Sequence, residues 1–256
     1  MSRLTAYALG IASVIGCAST PAHAQLAIDR LWVDFEPGAA NRADVVIRNE
    51  SKDRYYITVT PVEIVEPGTD SETRVQTADP EKLGLLVSPN RLIVEPGGMR
   101  SIRVVSLNEA LSSDRVYRVK VTPQVGAIDA PATQGDAKGV SVKLLTAYDL
   151  LVTARPPKPK ADILNSRSGD TLTLQNNGNT NVLLFEGRAC PQGVRPQAAD
   201  PGKAAAAPTN GCVDLGARRL YPGNSWSMPV PAGTARLYFK QRTSAAADPR
   251  DVEYSW

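Results

Sequence analysis

The sequence predicts an all-β chain built as two immunoglobulin-like sandwiches, on three observations. The first is alternation with period two. Tyr55, Ile57 and Val59 alternate with Tyr56, Thr58 and Thr60, and Tyr117, Val119 and Val121 alternate with Arg118 and Lys120, so each run has one apolar and one polar face. The second is turn chemistry at short intervals: Glu36-Pro37-Gly38, Glu66-Pro67-Gly68, Glu95-Pro96-Gly97-Gly98 and Tyr221-Pro222-Gly223 separate the runs. The third is a break at Arg155-Pro156-Pro157-Lys158-Pro159-Lys160, where three prolines remove three backbone donors and favour an extended connection. No window of a dozen residues keeps a helical period, and the spacing suits sandwiches of about seven strands each.

Taken in order, the first 24 residues read as an export signal, because Arg3 precedes the apolar run TAYALGIASVIG and Ala22-His23-Ala24 is a small-x-small cleavage site. The mature chain is expected to begin near Gln25, as an exported protein. A rival reading makes Val14-Ile15-Gly16-Cys17 the box before a lipid-modified cysteine. No later segment approaches the roughly 20 apolar residues of a membrane span. Cleavage removes His23, the one histidine of the chain, so Ser-His-Asp and Cys-His nucleophile arrangements and His-ligated metals are excluded. It leaves Cys190 and Cys212, which in an oxidising compartment form one disulfide unless both remain free thiols. That bridge is worth about 3 kcal/mol in the chain-entropy model. With 29 Lys and Arg scattered among 26 Asp and Glu there is no basic stripe, and nucleic acid is not an expected partner. No phosphate loop, metal-ligand spacing or catalytic grouping is present, so neither an enzyme nor a cofactor is expected.

The expected units are therefore residues 25–155 and residues 156–256. In the first, LLVSPNRLIVEPGGMRSIRVVSL reads as strand, proline, strand, a Pro-Gly-Gly hairpin and strand. In the second, TLTLQNNGNTNVLLFEG, ARLYFKQR and VEYSW read as strands, and the Ala- and Pro-rich stretch between Cys190 and Cys212 as a loop that the disulfide closes on its own base. The segment VSVKLLTAYDLLVTA, residues 140–154, is more than twice an ordinary strand in length. Val140, Val142 and Leu144 share one face, and Thr146 and Tyr148 continue it. Either this strand is paired wholly within its own sheet, or it spans a bent sandwich, or part of it protrudes to pair with another chain. The last option is β-augmentation, in which main-chain hydrogen bonds supply affinity and alternate side chains supply specificity.

LLVSPNRLIVEPGGMRSIRVVSL followed by DRVYRVKVTP resembles the central part of the periplasmic chaperones that assemble pili with an outer-membrane usher. NNGNTNVLLFEG, the two cysteines and RRLYPGNSWSM are similar to the second domain of the alternate, alpha-type branch that serves colonisation-factor fimbriae. The resemblance implies two domains set as a boomerang, and a chaperone that caps pilin subunits by donor-strand complementation and delivers them to the usher without cofactor. It makes Val140, Val142, Leu144 and Thr146 the donor residues and Arg155 the residue that sets the angle between domains. It also implies an arginine and a lysine that anchor the subunit's terminal carboxylate, but those two places hold Trp32 and Leu151, which leaves Arg30 and Lys143 as candidate substitutes. The acid expected to meet Arg155 from the second domain is not evident in LYFKQRTS. The free protein could cap its own edge as a dimer. The alternative class is a structural pilus subunit or two-domain surface adhesin, which calls for an incomplete sandwich or a long N-terminal extension; the stretch from Gln25 to Phe35 is short for both first strand and extension.

Overall fold

The structure, a computed structural model, describes residues 26–126, 143–196 and 211–256. The export segment with Cys17 and His23, the donor positions Val140 and Val142, and most of the loop between the cysteines lie outside the described residues. Ten strands form the first domain: β1 (Leu26–Ile28), β2 (Trp32–Phe35), β3 (Arg42–Asn49), β4 (Tyr55–Val65), β5 (Thr73–Val75), β6 (Leu85–Ser88), β7 (Arg91–Val94), β8 (Met99–Ser106), β9 (Arg115–Gln124) and β10 (Tyr148–Ala154). They make one sheet in the order β1-β3-β8-β6 and a second in the order β2-β10-β9-β4-β5, with β7 also on β4. All these pairs are antiparallel except β2 with β10, which run parallel.

The alternation read from the sequence places the core. Tyr55, Ile57 and Val59 of β4 and Tyr117, Val119 and Val121 of β9 are buried, and they meet Val45, Ile47, Ile102 and Val104 from the facing sheet. Tyr56, Thr58 and Thr60 point the other way, as period two requires. A four-residue helix, α1 (Pro80–Leu83), interrupts the pattern: Asp79 caps it by accepting from Glu81 N at 2.9 Å, and Gly84 ends it at φ 76°. It is too short for a helical period to register.

One expectation needs correction. The Glu95-to-Gly98 turn does not close a hairpin, because β7 pairs with β4 in one sheet while β8 pairs with β3 and β6 in the other. The chain changes sheet twice here, at Pro89-Asn90 and again at the Pro-Gly-Gly turn, where Gly97 adopts φ 67°. Strand alternation tells which face a residue takes, but not which sheet the strand joins.

The second domain contains β11 (Ile163–Ser168), β12 (Thr171–Asn176), β13 (Val182–Pro191), β14 (Val213–Leu215), β15 (Arg218–Leu220), β16 (Ser225–Pro229), β17 (Thr234–Arg242) and β18 (Arg250–Ser255). One sheet has the order β11-β12-β16 and the other β14-β13-β17-β18, with β15 also on β13. The two enclose Leu172, Leu174, Leu184, Leu237 and Phe239. The buried Asn176 staples the β12–β13 turn, its Nδ2 donating to Thr180 O at 2.8 Å and Leu220 O at 3.1 Å while its Oδ1 accepts from Gly178 N at 2.9 Å. Cys190 and Cys212 are joined in a disulfide that ties the end of β13 to the start of β14.

A bulge in β13 brings backbone close to the aromatic core: a Cβ at Gly187 would stand 2.3 Å from Phe239 Cε1 and 2.9 Å from Leu215 Cβ. Phe239 is itself buried and cannot swing aside. Gly187→Ala is therefore expected to destabilise the protein by about 1–3 kcal/mol, read as a lower urea midpoint; an unchanged midpoint would show that the bulge relaxes freely.

Candidate functional site

β10 is held unequally along its length. Leu151–Ala154 lie between β2 on one side and β9 on the other, whereas Tyr148–Leu150 pair with β9 alone. Residues 143–147, immediately upstream, belong to no strand. The strand expected over residues 140–154 thus begins, among the described residues, only at Tyr148, and two local features explain why. On the β2 side the neighbour is lost because Asp29 turns the chain into the other sheet, its N–H donating to Val46 O at 3.1 Å and its Oδ1 accepting from Val46 N at 2.9 Å. On the β9 side the continued register would set Thr146 opposite Pro123, which has no N–H.

β9 itself runs on to Gln124, paired with β4 as far as Tyr56, so its residues 122–124 have no β10 partner. Leu144 and Thr146 have the parity of Tyr148, Leu150 and Val152, the core-facing side of β10, yet Leu144 is 83% exposed and Thr146 is exposed. Two contacts tether the segment at its ends: Lys143 pairs with Asp53, and the Tyr148 hydroxyl donates to Leu26 O. A backbone unpaired among the described residues, with an exposed leucine beside an open stretch of strand, can accept another chain's strand, or complete another chain's sheet.

At its other end β10 runs into the junction between domains. The Arg155 side chain is 2% exposed. Its Nη2 donates to Asp34 Oδ1 at 2.6 Å and to Thr243 O, its Nη1 donates to Thr180 Oγ1, and Asp114 Oδ2 lies 3.7 Å from Nη1. Both acids belong to the first domain. The second domain contributes a hydroxyl and a carbonyl, so the acid sought in LYFKQRTS is replaced there by the Thr243 backbone. Asp34 Oδ2 accepts from Ala245 N at 2.7 Å, and Asp114 Oδ2 accepts from Asn181 N at 2.7 Å and Nδ2 at 2.6 Å. Removing one partner of so buried a pair strands the other's charge, at a cost of about 3–5 kcal/mol.

A second contact joins the domains at the far edge of the same sheet. The β4–β5 loop, with Gly68 at φ 75°, lies on the Tyr221 ring, and Asn224 Nδ2 donates to Pro67 O at 2.7 Å. Tyr221 packs with Ile64, Val116 and Leu151 in a small cluster that Trp32 and Val62 border. Tyr221 of the second domain therefore packs directly on the outer face of the first domain's larger sheet.

Across that wall the register sets Trp32, Leu151, Arg118 and Val62 side by side. The two places where the resemblance implies an anchoring arginine and lysine are thus true neighbours, occupied by an indole and a leucine. The substitutes read from the sequence do not join this row. Arg30 bonds to its neighbour Asp29 at 2.9 and 3.0 Å, and Lys143 is engaged by Asp53. Asp34, Asp114, Arg118, Arg219 and Tyr221 were not singled out by sequence reasoning, and no single-chain signal marks them, since their meeting depends on register and on docking of the two domains.

No family model matches this chain. Among curated proteins it is similar to a CS1 fimbrial subunit of Escherichia coli, 32% identical over 149 residues that make up 56% of this chain and 60% of that protein. It is similar also to a CFA/I fimbrial subunit of Escherichia coli, 27% identical over 163 residues, 62% of this chain and 65% of that protein. The matched stretches thus span under two thirds of these relatives' lengths. Among solved structures it resembles the class 5 fimbriae chaperone CfaA, with a TM-score of 0.63 and 20% identity over 90% of this chain and 98% of that one. It also resembles a chain of the Salmonella enterica complex of SafA pilin with the SafB chaperone, with a TM-score of 0.58 and 11% identity over 93% of this chain and 99% of that one. The fold is that of the two-domain chaperones of fimbrial assembly.

The junction yields a pH test. Burial pushes the Asp114 carboxyl above the usual carboxylate range, against the opposing charge of Arg155 and the hydrogen bonds from Asn181. The native state then holds this proton across the window from the ordinary carboxylate value up to the raised one, so the group's contribution to stability falls as pH rises through that window. Measured by urea unfolding from about pH 4 to about pH 7, the stability of the protein relative to its Asp114→Asn variant should decline with rising pH. A difference that stays flat or grows would contradict the raised value.

Proposed function

We propose that this protein is a periplasmic chaperone for fimbrial subunits, of the alpha-type branch, which captures a subunit by lending it the strand upstream of Tyr148 and releases it to an outer-membrane usher. The observation that carries the reading is the unpaired stretch 143–147 with Leu144 83% exposed, joined directly to a strand that is clamped on both sides at Leu151–Ala154. A subunit lacking one strand has an open groove between two sheet edges. Residues 143–147, unpaired among the described residues, offer backbone donors and acceptors for both edges, and side chains of a single parity for the groove. Burying Leu144 there would contribute about 1.5–3 kcal/mol before ordering costs, and Val140 and Val142 extend the same row. Such a complex is stoichiometric, needs no cofactor, and can be undone when another strand replaces the borrowed one.

The likeness to fimbrial chaperones in fold, and to the CS1 and CFA/I fimbrial proteins in sequence, supports the client class. The structural-subunit alternative is less well served. Residues 26–28 pair with β3 and residues 32–35 with β10, so this stretch is already engaged in its own sheets.

Leu144→Glu changes an exposed side chain and should leave the urea midpoint unchanged. Co-expressed with an exported fimbrial subunit, the native chain is expected to purify as one-to-one pairs and the Leu144→Glu variant to lose them. Equal recovery of pairs with both would remove residues 143–147 from the binding site.

A further inference from the structure

We infer that the outer face of the sheet β1-β3-β8-β6 docks on a bilayer leaflet that carries anionic phospholipid. The inference goes beyond the client-binding reading and does not depend on it, because this sheet lies across the core from the one on which Tyr221 packs. Period two sends Val45, Ile47, Ile102 and Val104 of β3 and β8 into the core, so the residues between them face outward. The register lines these up in rows. At one end Leu86, Val105 and Arg42 stand side by side, and at the other end Met99 stands beside Arg48. Leu86 is 38% exposed and Met99 52%. Each end of the face thus joins an exposed apolar side chain to an arginine, and the rise of the strand sets the two pairs about 20 Å apart.

The acids of this face lie between those ends, and both are occupied. Arg103 donates to Asp44 at 2.7 and 2.9 Å, and Arg30 to Asp29 at 2.9 and 3.0 Å. Arg42 and Arg48 are left without an ion pair among the described residues. Arg100, also exposed, follows Met99 in the chain and donates to its carbonyl at 3.0 Å. The hydrogen bonds from Arg103 hold the Asp44 carboxyl below the usual carboxylate range, and the charges of Arg103, Arg42 and Arg30 act in the same sense. The face is net positive, and its field reaches the acid at its centre.

That charge decides between occupants. A second copy of the chain would set arginine against arginine, so the face repels itself. A layer of anionic headgroups complements it. Each guanidinium fork matches a phosphate in shape as well as charge, and the leucine or methionine beside it reaches the acyl boundary beneath that phosphate. A fluid leaflet supplies phosphates at whatever spacing the two ends require, whereas an acidic protein would have to follow the twist of the sheet. Docked in this way, the protein turns its other sheet, and the junction between the domains, away from the bilayer.

The test is sedimentation of the full mature protein with vesicles of phosphatidylcholine alone, and of phosphatidylcholine with about one third phosphatidylglycerol. At low salt, partition to the anionic vesicles should exceed that to the neutral ones by about tenfold or more, and the excess should fall as added salt screens it. Arg42→Gln combined with Arg48→Gln should bring the two kinds of vesicle to within about threefold of each other. Leu86→Ser combined with Met99→Ser should lower partition to the anionic vesicles about threefold or more and keep its salt dependence. Arg250→Gln, on β18 of the second domain, should change nothing. All five side chains are exposed, so none is needed for the fold. Equal partition to both kinds of vesicle, or none to either, overturns the inference. So does a preference that survives the paired arginine changes, or one that Arg250→Gln abolishes equally. Unchanged partition after Leu86→Ser with Met99→Ser, or tighter binding of soluble polyglutamate than of the anionic vesicles at equal charge, overturns the bilayer as the occupant and leaves an acidic protein in its place.

Discussion

A backbone that leaves its ladder partners must satisfy its N–H and C=O groups elsewhere, and β10 does so at Tyr148. On the junction side of that residue the strand is locked between β2 and β9. On the upstream side residues 143–147 have neither neighbour. This asymmetry divides one polypeptide into a structural strand where it meets the hinge and a stretch outside both sheets upstream of Tyr148, the stretch proposed to engage a client. Its cause is local: the Asp29 turn withdraws the first strand into the other sheet, and Pro123 weakens the ladder on the opposite side.

The rest of the molecule keeps that strand in one place relative to the second domain. Arg155 follows β10 directly and gathers Asp34, Asp114, Thr180 and the Thr243 carbonyl into a nearly dry network. The Arg155 Nε and Asp114 Oδ1 are buried without a partner, so the bonds that Nη1 and Nη2 make across the junction carry the compensation for the buried charge, and the network tolerates little change in domain angle. At the opposite edge of the sheet, Tyr221 and Asn224 meet the β4–β5 loop in a contact made of packing and one amide bond. The two braces differ in kind: the first is electrostatic and sensitive to protonation of Asp114, the second is mainly apolar. Between them lies the row of Trp32, Leu151 and Arg118.

Much of this was legible in the residues. Alternation in Tyr55–Thr60 and Tyr117–Val121 gave the buried faces, and the Pro-rich stretch after Arg155 falls where the sheets of one domain end and those of the next begin. Two cysteines pointed to the bridge that joins β13 to β14. Other features could not be read, for physical reasons. Period two tells in from out but not which strands are neighbours, so the crossing at Pro89 looked like part of a hairpin. It also cannot show where a ladder stops, so residues 143–147 looked like the first half of a long strand. Nor could the sequence show that Arg30 and Lys143 each have an acid beside them, Asp29 adjacent in sequence and Asp53 ninety residues away. Arg118 reads as an ordinary solvent-facing member of an alternating strand, and that its charge acts on Arg219 of the second domain follows only from the docking of the two domains.

The most direct measurement is amide hydrogen exchange at residues 143–147, in the free protein and in a purified complex with a fimbrial subunit. The account predicts exchange near the unprotected rate in the free chain, while Leu151–Ala154 stay protected, and strong protection of 143–147 once a subunit is bound. Protection already present in the monomeric free protein, or absent in the complex, would contradict it.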